Sequence, residues 1–577
     1  MRPVDLLLLH PPTTFQSPTG LGLHNMIAAS VPSTPVFETY PLGFLSMGEY
    51  LERHGYHVSI CNLALLNSLM PRLRPEILLR HIHARMVGID LHWATHTDGA
   101  LELARIIRKI HPDTRIVVGG LTASQFWREL LSYPQIDFVI RGDSSEYPLL
   151  RLMNALENKI HMWDVPNLAW RDRTGNVQTT GLDWVPDNID DYRTDYSWLI
   201  RSAARHLDPL NVLLSIPYRD WLMNPSAAVF TQRGCPYDCL ICGGSAHAYR
   251  EICNRKRPAV RSPEAVVRDM ASAARILRAR IFIGYDMQDP GGSYSQEIFR
   301  QFKALGVSNP LVIEIMRPAP FEFFRSAVEA AGRVTLHMSA DTHDEAMRMK
   351  FGRGYTNAEL EQTIGAALDA GIGTVRIFFG IGLPGQDATS VMKTVEYCGK
   401  LLDRFGSDGR FFPFVSVLAP YIEPGSRAYD DPERYGYRNI HSTLEDYCSS
   451  VKQHSWAQTM GYETPHMDRD TLMETAYKAA IAINRLHEKH SLITTRSRRR
   501  EEKRLMREWQ AVQRKTDTRT RWLIGESSIY TSGVRGFLIK PHAFRPFGIL
   551  SEVSQGLRDF MKDYSSGRAA GPWRFFI

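Results

Sequence analysis

"TQRGCPYDCLICGGS" (231–245) carries three of the chain's seven cysteines. Cys235, Cys239 and Cys242 are spaced C-x3-C-x2-C, and "AAVFTQRGC" (227–235) reads as a strand that delivers the chain into their loop. A cubic iron–sulfur cluster has four irons and usually four thiolates. Three thiols in one tight loop leave one iron open, and an open iron can bind a small chelating substrate. The competing reading is zinc, with His247 as fourth ligand. Structural zinc sites favour C-x2-C units with a second pair downstream. Here Cys253, Cys398 and Cys448 are isolated and read as structural. Few cysteines, odd in number, make a poor disulfide framework and suit a reducing compartment.

Downstream of the loop, strands and helices alternate. "RIFIGYD" (280–286), "LVIEIM" (311–316), "VTLHMSAD" (334–341), "TVRIFFGIG" (374–382) and "FFPFVSV" (411–417) are strand runs. Helical patterns lie near 263–278, 294–306, 320–331, 356–370 and 387–404. Six β/α units predict a partial (β/α)6 barrel with its active site at the strand carboxyl ends. Asp286, Asp289, Arg317, Ser339, Asp341 and Gly380 to Gly385 all fall at that end.

Upstream, "VDLLLLH" (4–10), "YHVSICNL" (56–63), "MVGIDLH" (86–92), "RIVVGG" (115–120) and "DFVIRG" (137–142) are five short strands separated by helical stretches. "PLGFLSMGEYLERHG" (41–55) reads as one such helix, stopped by Gly55. This predicts a doubly wound, Rossmann-like parallel sheet whose ligands bind beyond the strand carboxyl ends. Those ends carry the 11–40 loop, Asp90 to His96, Gly119-Gly120 and Arg141-Gly142-Asp143. No G-x-G-x-x-G follows the first strand, so a nicotinamide fingerprint is missing. His92 and His96 read on their own as satisfied strand-end histidines. "NLAWRDRTGNVQTT" (167–180) is a β-hairpin around Thr174-Gly175-Asn176, and 183–224 reads as a wrapped linker.

The 577 residues suggest three or four domains, with 44% hydrophobic and 23% charged residues in a globular balance. The expected division is 1–160, 161–225, 226–429 and a mostly helical 430–577. No apolar stretch approaches the ~20 residues of a membrane span, and "VDLLLLH" is too short for a signal peptide. A cytoplasmic location is expected. The net charge of +7 is largely local, since nine Lys/Arg and three Glu lie between Arg496 and Lys515. That basic helix reads as a solvated face with i,i+4 ion pairs rather than as an RNA surface.

This order of segments resembles the radical S-adenosylmethionine (SAM) superfamily. The likeness rests on the cysteine loop, on "LHMSADTHDEAMRMKFGRGYT" (336–356), on "FFGIGLPGQ" (378–386) and on "LAPYIEPGSRAY" (418–429). The N-terminal half is similar to the cobalamin-binding domain of the B12-dependent, class B subgroup. "LLLLHPP" (6–12), "VGIDLHWATHTDGALELARIIRKIHPDTRIVVGG" (87–120) and "DFVIRGDSSEYPLLRLM" (137–153) carry that likeness. Together the resemblance spans about residues 1–430.

The resemblance implies a [4Fe–4S] cluster on Cys235, Cys239 and Cys242, SAM on the open iron, and cobalamin. Ile241, Asp286, Ser339, Asp341, Gly382 and Pro384 are the implied SAM contacts. Ile241 stands where an aromatic is usual, and "GYDMQD" replaces the common Gly-Gly-Glu pattern. Pro12, His92, Gly119, Gly120, Arg141 and Gly142 are the implied cobalamin contacts. The D-x-H-x-x-G motif is absent from the first loop, so no histidine from it is expected on cobalt. The implied activity is methyl transfer to an unactivated carbon through a 5′-deoxyadenosyl radical and methylcobalamin. A radical cyclisation or rearrangement is the second reading, and a cobalamin- or zinc-binding sensor a third of another class. A small-molecule or peptide substrate and a flavodoxin- or ferredoxin-like electron donor are the expected partners. A tRNA methylthiolating enzyme would carry a second three-cysteine cluster in the N-terminal domain; only Cys61 lies there, so nucleic acid is not an expected partner.

Overall fold

The computed structural model describes residues 4–15, 39–70, 74–218, 221–284, 286–287, 292–417, 420–453, 456–513 and 544–565. Two parallel sheets organise them. The first contains β1 (Val4–His10), β2 (Val58–Asn62), β3 (Ala84–Asp90), β4 (Arg115–Gly119), β5 (Phe138–Ile140), β6 (Leu168–Arg171) and β7 (Val177–Thr179), in the order β2-β1-β3-β4-β5-β6-β7. Strands β1 to β5 are parallel, and β6 and β7 add antiparallel. Side chains alternate across a strand, so Leu6 and Leu8 enter one apolar layer while Leu7 and Leu9 enter the other. Both faces are covered, which is why β1 is a continuous leucine run.

The second sheet begins at β8 (Ser226–Phe230). A short antiparallel ribbon of β9 (Gln232–Arg233) and β10 (Ala259–Val260) flanks the cysteine loop. Then come β11 (Arg280–Gly284), β12 (Leu311–Ile315), β13 (Val334–Asp341), β14 (Thr374–Ile381) and β15 (Phe411–Val417). Their order, β15-β14-β13-β12-β11-β8, is sequential and wholly parallel. Helices Pro263–Ile276, Ser293–Ala304, Phe321–Ala331, Asn357–Asp369 and Ala388–Phe405 alternate with these strands. This is the expected partial (β/α)6 barrel. In β13, Val334, Leu336, Met338 and Ala340 join the apolar core, whereas Thr335, His337 and Ser339 alternate onto the other, half-buried face. Among the described residues no helix is long and apolar enough to cross a membrane.

The structure redraws two expected boundaries. The 167–180 hairpin extends the first sheet rather than belonging to a linker. The supposed linker 183–224 contains helices Tyr196–His206 and Pro209–Leu214. The first is capped by Asp195 and held by Trp198, whose Nε1 donates to Glu52 at 2.6 Å. It packs against helices Gly43–Arg53, Pro263–Ile276 and Pro546–Ser565 rather than against one layer, which breaks the single apolar stripe that a period would show. Described helices of 430–577 pack on the barrel. Helix Arg469–Lys489 packs on β15 and on Ala388–Phe405, and His487 donates to the Pro413 carbonyl at 2.9 Å. The basic helix Thr495–Gln513 bears the expected i,i+4 ion pair Arg498–Glu502, and Arg485 of helix Arg469–Lys489 reaches the same Glu502 at 2.9 Å. Its Leu505 is buried in the barrel core.

Helix Pro546–Ser565 lies along helix Tyr196–His206, with Arg201 paired to Glu552 at 2.6 Å and Arg205 to Asp563 at 2.7 Å. Gly556 allows this approach, because a Cβ there would overlap the Arg201 carbonyl. Gly556→Leu should therefore unseat the last helix and cost about 1–3 kcal/mol by overpacking. Limited proteolysis should show earlier cleavage within 546–565 in the variant than in the wild type.

Candidate active site

The cysteine loop starts where β8 ends. Gly234 has φ +87°, and a Cβ there would stand 2.7 Å from the Arg255 Cδ, so only glycine fits this turn. The loop is then tied by its backbone to the ends of two other strands' connections. Leu240 N–H donates to the Phe351 carbonyl (3.3 Å), Ala428 N–H to the Leu240 carbonyl (3.0 Å) and Glu423 N–H to the Ile241 carbonyl (3.2 Å). Ser245 caps helix Ala246–Cys253, which carries the chain away. Cys235 and Cys239 are half-buried and Cys242 is exposed; none is in a disulfide. The Gly244 N–H points at the Cys242 sulfur from 3.4 Å.

Three free thiols with an amide aimed at one sulfur are a donor set that fits a cubic cluster. They do not fit zinc with His247. The His247 Nε2 is engaged by Asp430 at 2.7 Å, and its N–H donates to Asp238 at 2.9 Å. Among the described residues, no group of three or more His, Cys, Asp or Glu converges on a single-ion position.

Charged groups gather above the loop. Asp286 accepts from the Tyr237 hydroxyl at 2.7 Å and from Met316 N–H at 3.2 Å. Asp341 lies at a register irregularity in β13 with φ +59°, and it accepts from Arg353 Nε at 2.9 Å. Arg353 also lies over the Tyr237 ring at 5.8 Å. Burial opposes its charge, but Asp341 and the neighbouring Cys239 thiol outweigh this and raise its pKa. Ser339 is half-buried, and its carbonyl accepts from Tyr355 at 2.9 Å. Asp289 lies outside the described residues. Arg353 was missed in the sequence, although "FGRGYT" (351–356) was visible; nothing local marks an arginine 118 positions after Cys235 as its neighbour.

Two expected SAM contacts have other work. Ile241 is 6% exposed and packs in the barrel core. At Gly382, both backbone polar groups are taken: its N–H by Gln386 at 2.8 Å and its carbonyl by the Tyr437 hydroxyl at 3.0 Å. A Cβ there would meet the Tyr462 hydroxyl at 2.6 Å. That glycine serves packing, at φ +98°. Pro384 is half-buried beside Gly436.

At the carboxyl end of the first sheet the order β2-β1-β3 makes a switch point between β1 and β3, where such sheets bind ligands. His10, missed in the sequence, meets Asp90 there: Nδ1 to Oδ2 is 2.9 Å. Asp90 also accepts from His92 N–H at 3.0 Å. His96 donates to the Pro11 carbonyl at 2.9 Å, 4.7 Å from the His10 ring centre. The His92 ring is half-buried against Trp93, and burial lowers its pKa against the opposing pull of Asp90. A Cβ at Gly119 would meet only the Ile140 carbonyl, at 3.7 Å, so there is room beside the backbone at the end of β4.

The neighbouring expected contacts also have partners within the fold. Gly120, φ +120°, lets the chain pass the backbone of Leu91 and His92, where a Cβ would come within 2.6 Å. Arg141 lies over Trp127 at 4.8 Å and donates to the Thr180 carbonyl at 2.6 Å. Gly142 N–H donates to Ser124 at 2.9 Å. The Pro12 carbonyl occupies the space beside Gly99 on helix Thr97–Ile110. His10, Asp90, His92 and Gly119 stand at the carboxyl ends of β1, β3 and β4, with Gly120, Arg141 and Gly142 next to them.

The two ends meet. Leu121, next after Gly120, packs with Ala248, Tyr249, Ile252 and Cys253 of the helix leaving the cysteine loop, and Cys235 joins them. The carboxyl end of the first sheet thus meets the helix that leaves the three-thiol loop of the barrel. Residues 31–148 match the family described as B12 binding domain, and 229–398 match the Radical SAM superfamily. The chain therefore carries the domain pair of cobalamin-binding radical SAM proteins.

Among its relatives is the cytidylyl-2-hydroxyethylphosphonate methyltransferase of Streptomyces wedmorensis, 25% identical over 47% of this chain and 55% of that one. The hopanoid C-3 methylase of Methylococcus capsulatus is 24% identical over 48% and 47%. The anaerobic magnesium-protoporphyrin IX monomethyl ester cyclase of a Synechocystis species is 25% identical over 41% and 42%. The chain thus spans about half the length of these relatives. Its fold matches the radical SAM methyltransferase TsrM of Kitasatospora setae with cobalamin and a [4Fe–4S] cluster bound (TM-score 0.56, 16% identity, 87% of this chain and 99% of that one). It also matches the cobalamin-dependent radical enzyme OxsB (0.55, 12%, 99% and 82%).

The histidine-lined crevice carries a pH signature. Burial, with His10 alongside, pushes His96 down to about 3, whereas the unfolded chain protonates it near 6.5. Native stability is complete above 6.5 and is lost as pH falls from there toward 3, by about 1.4 kcal/mol per pH unit for one proton. Asp90, whose pKa is also lowered in the fold by its histidine partners against the opposing effect of burial, acts in the same direction at lower pH. Urea unfolding at stepped pH should show a shallower acid slope for His96→Asn than for the wild type.

Proposed function

We propose that the protein is a cobalamin-dependent radical SAM methyltransferase acting on an unactivated carbon. The observation that carries this reading is the apposition of the β1/β3 crevice and the three-thiol loop, joined through Leu121 and helix Ala246–Cys253. When bound, the cluster with SAM supplies a substrate radical and cobalamin supplies the methyl group. The chain's residues bind and orient. Cys235, Cys239 and Cys242 hold the cluster and leave its fourth iron open. Asp286 and Arg353 carry the charges that match the ammonium and carboxylate of a SAM methionine moiety. Ser339 and Asp341 stand beside them, with Asp341 fixing Arg353. Two buried tyrosine pairs, Tyr421 with Tyr447 and Tyr437 with Tyr462, help keep water from the barrel mouth beyond β15. The strand end at Gly119, with His10, Asp90 and His92, takes the cobalamin. A small molecule or peptide is the substrate class, and a flavodoxin- or ferredoxin-like protein the electron source.

A radical cyclisation without methyl transfer is the second reading, because one relative is a cyclase. The products separate the two. Methyl transfer yields S-adenosylhomocysteine and 5′-deoxyadenosine together; cyclisation yields 5′-deoxyadenosine alone.

Anaerobically reconstituted protein should bind about four irons and cleave SAM when reduced. Cys239→Ala should abolish 5′-deoxyadenosine formation and keep cobalamin binding, read from the visible spectrum after gel filtration. Retained cleavage would remove Cys239 from the cluster. Arg353→Gln should raise the SAM concentration needed for cleavage roughly tenfold or more, the loss of one charge-assisted contact, with iron content unchanged.

A further inference from the structure

Arg233 and Arg255 bracket the cysteine loop, and both end on carboxylates of the other sheet's β5 loop. Arg233, two residues before Cys235, grips Glu146 with both terminal nitrogens; NH1 to Oε2 is 2.8 Å. Arg255, whose side chain fills the space beside Gly234, grips Asp143 through Nε and NH2, the latter at 3.1 Å. The side chains are nearly sealed from solvent, at 11% and 1% exposure for the first pair and 1% and 5% for the second. Each pair is braced. Ser46 donates to Glu146 at 2.5 Å, Arg233 lies over Tyr192 at 5.0 Å, and Arg255 donates to the Pro186 carbonyl at 3.1 Å.

Buried ion pairs return little net stability, because desolvation offsets their attraction. A two-pronged arginine–carboxylate pair instead fixes separation and rotation together. Two such forks, on either side of one loop, leave it no hinge. Both acceptors lie in 143–146, just past the carboxyl end of β5, the strand beside β4, and so at the end of the sheet to which the cobalamin site is assigned. We propose that Asp143, Glu146, Arg233 and Arg255 are positioning residues that set the separation between the cobalamin crevice and the cluster loop. The inference rests on the cofactor assignment above and adds the element that holds the two sites in register.

The test uses protein loaded with both cofactors. The reduced cluster is a fast-relaxing spin that raises the microwave power needed to saturate the cob(II)alamin signal, and this rise depends steeply on their separation. Asp143→Asn/Glu146→Gln should keep iron and cobalamin content while the rise changes by roughly half or more, since displacements of about 1 Å already matter in such sites. Arg233→Lys keeps the charge without the fork, and should give a smaller change in the same direction. It supplies the reading if the double variant does not fold. Variants with wild-type enhancement would overturn the inference while leaving the cofactor assignment intact. Wild-type protein lacking either signal would instead contradict the cofactor assignment.

Discussion

Two arginine–carboxylate forks, Arg233 with Glu146 and Arg255 with Asp143, join the loop that carries three cysteines to the edge of a separate sheet. Everything else in the molecule is arranged around that junction. A parallel sheet offers a ligand site at only one end, beyond its strand carboxyl termini. The chain contains two such sheets, and a shared cavity requires those two ends to face each other. The forks and the Leu121 contact with helix Ala246–Cys253 make them do so.

The helices outside both sheets support this geometry. Helix Tyr196–His206 packs against the first sheet's helix Gly43–Arg53 and against the barrel's helix Pro263–Ile276, so the segment between the domains is a packed wedge. Helix Pro546–Ser565 then clamps it through Glu552, which pairs with both Arg201 and Arg275. On the opposite side, helix Leu444–Val451 packs on helix Thr97–Ile110, and Lys452 reaches Asp98 at 2.8 Å. The C-terminal third thus reinforces the contact between the two sites from outside.

The regular parts of this architecture were legible in the sequence. Strand runs such as "LVIEIM" and "VTLHMSAD" fall on β12 and β13 to within a residue, because short apolar runs between helical periods leave few alternatives. The cysteine spacing announced the loop in the same way. What stayed hidden depends on contacts across long sequence distances. Arg353 meets Asp341 and the cysteine loop only because β13 bulges between Ser339 and Asp341. Gly382 and Gly120 looked like ligand-approach glycines; their real neighbours, Tyr462 and the His92 backbone, lie far along the chain or on another strand. His10 ends a leucine run and gains meaning only beside Asp90 of β3. Asp143 reads as part of the ligand-binding end of β5 and Glu146 carries no signal of its own until their arginines, 112 and 87 positions away, are placed.

The central claim is that iron and cobalt sit across one cavity. It is tested most directly by anomalous diffraction at the iron and cobalt edges from anaerobically reconstituted, cobalamin-loaded crystals. An iron peak at Cys235, Cys239 and Cys242 and a cobalt peak beyond the ends of β1 and β3, both opening on the same cavity, is the expected result. A cobalt peak elsewhere, or a cysteine loop without iron in protein that retains its fold, would contradict it.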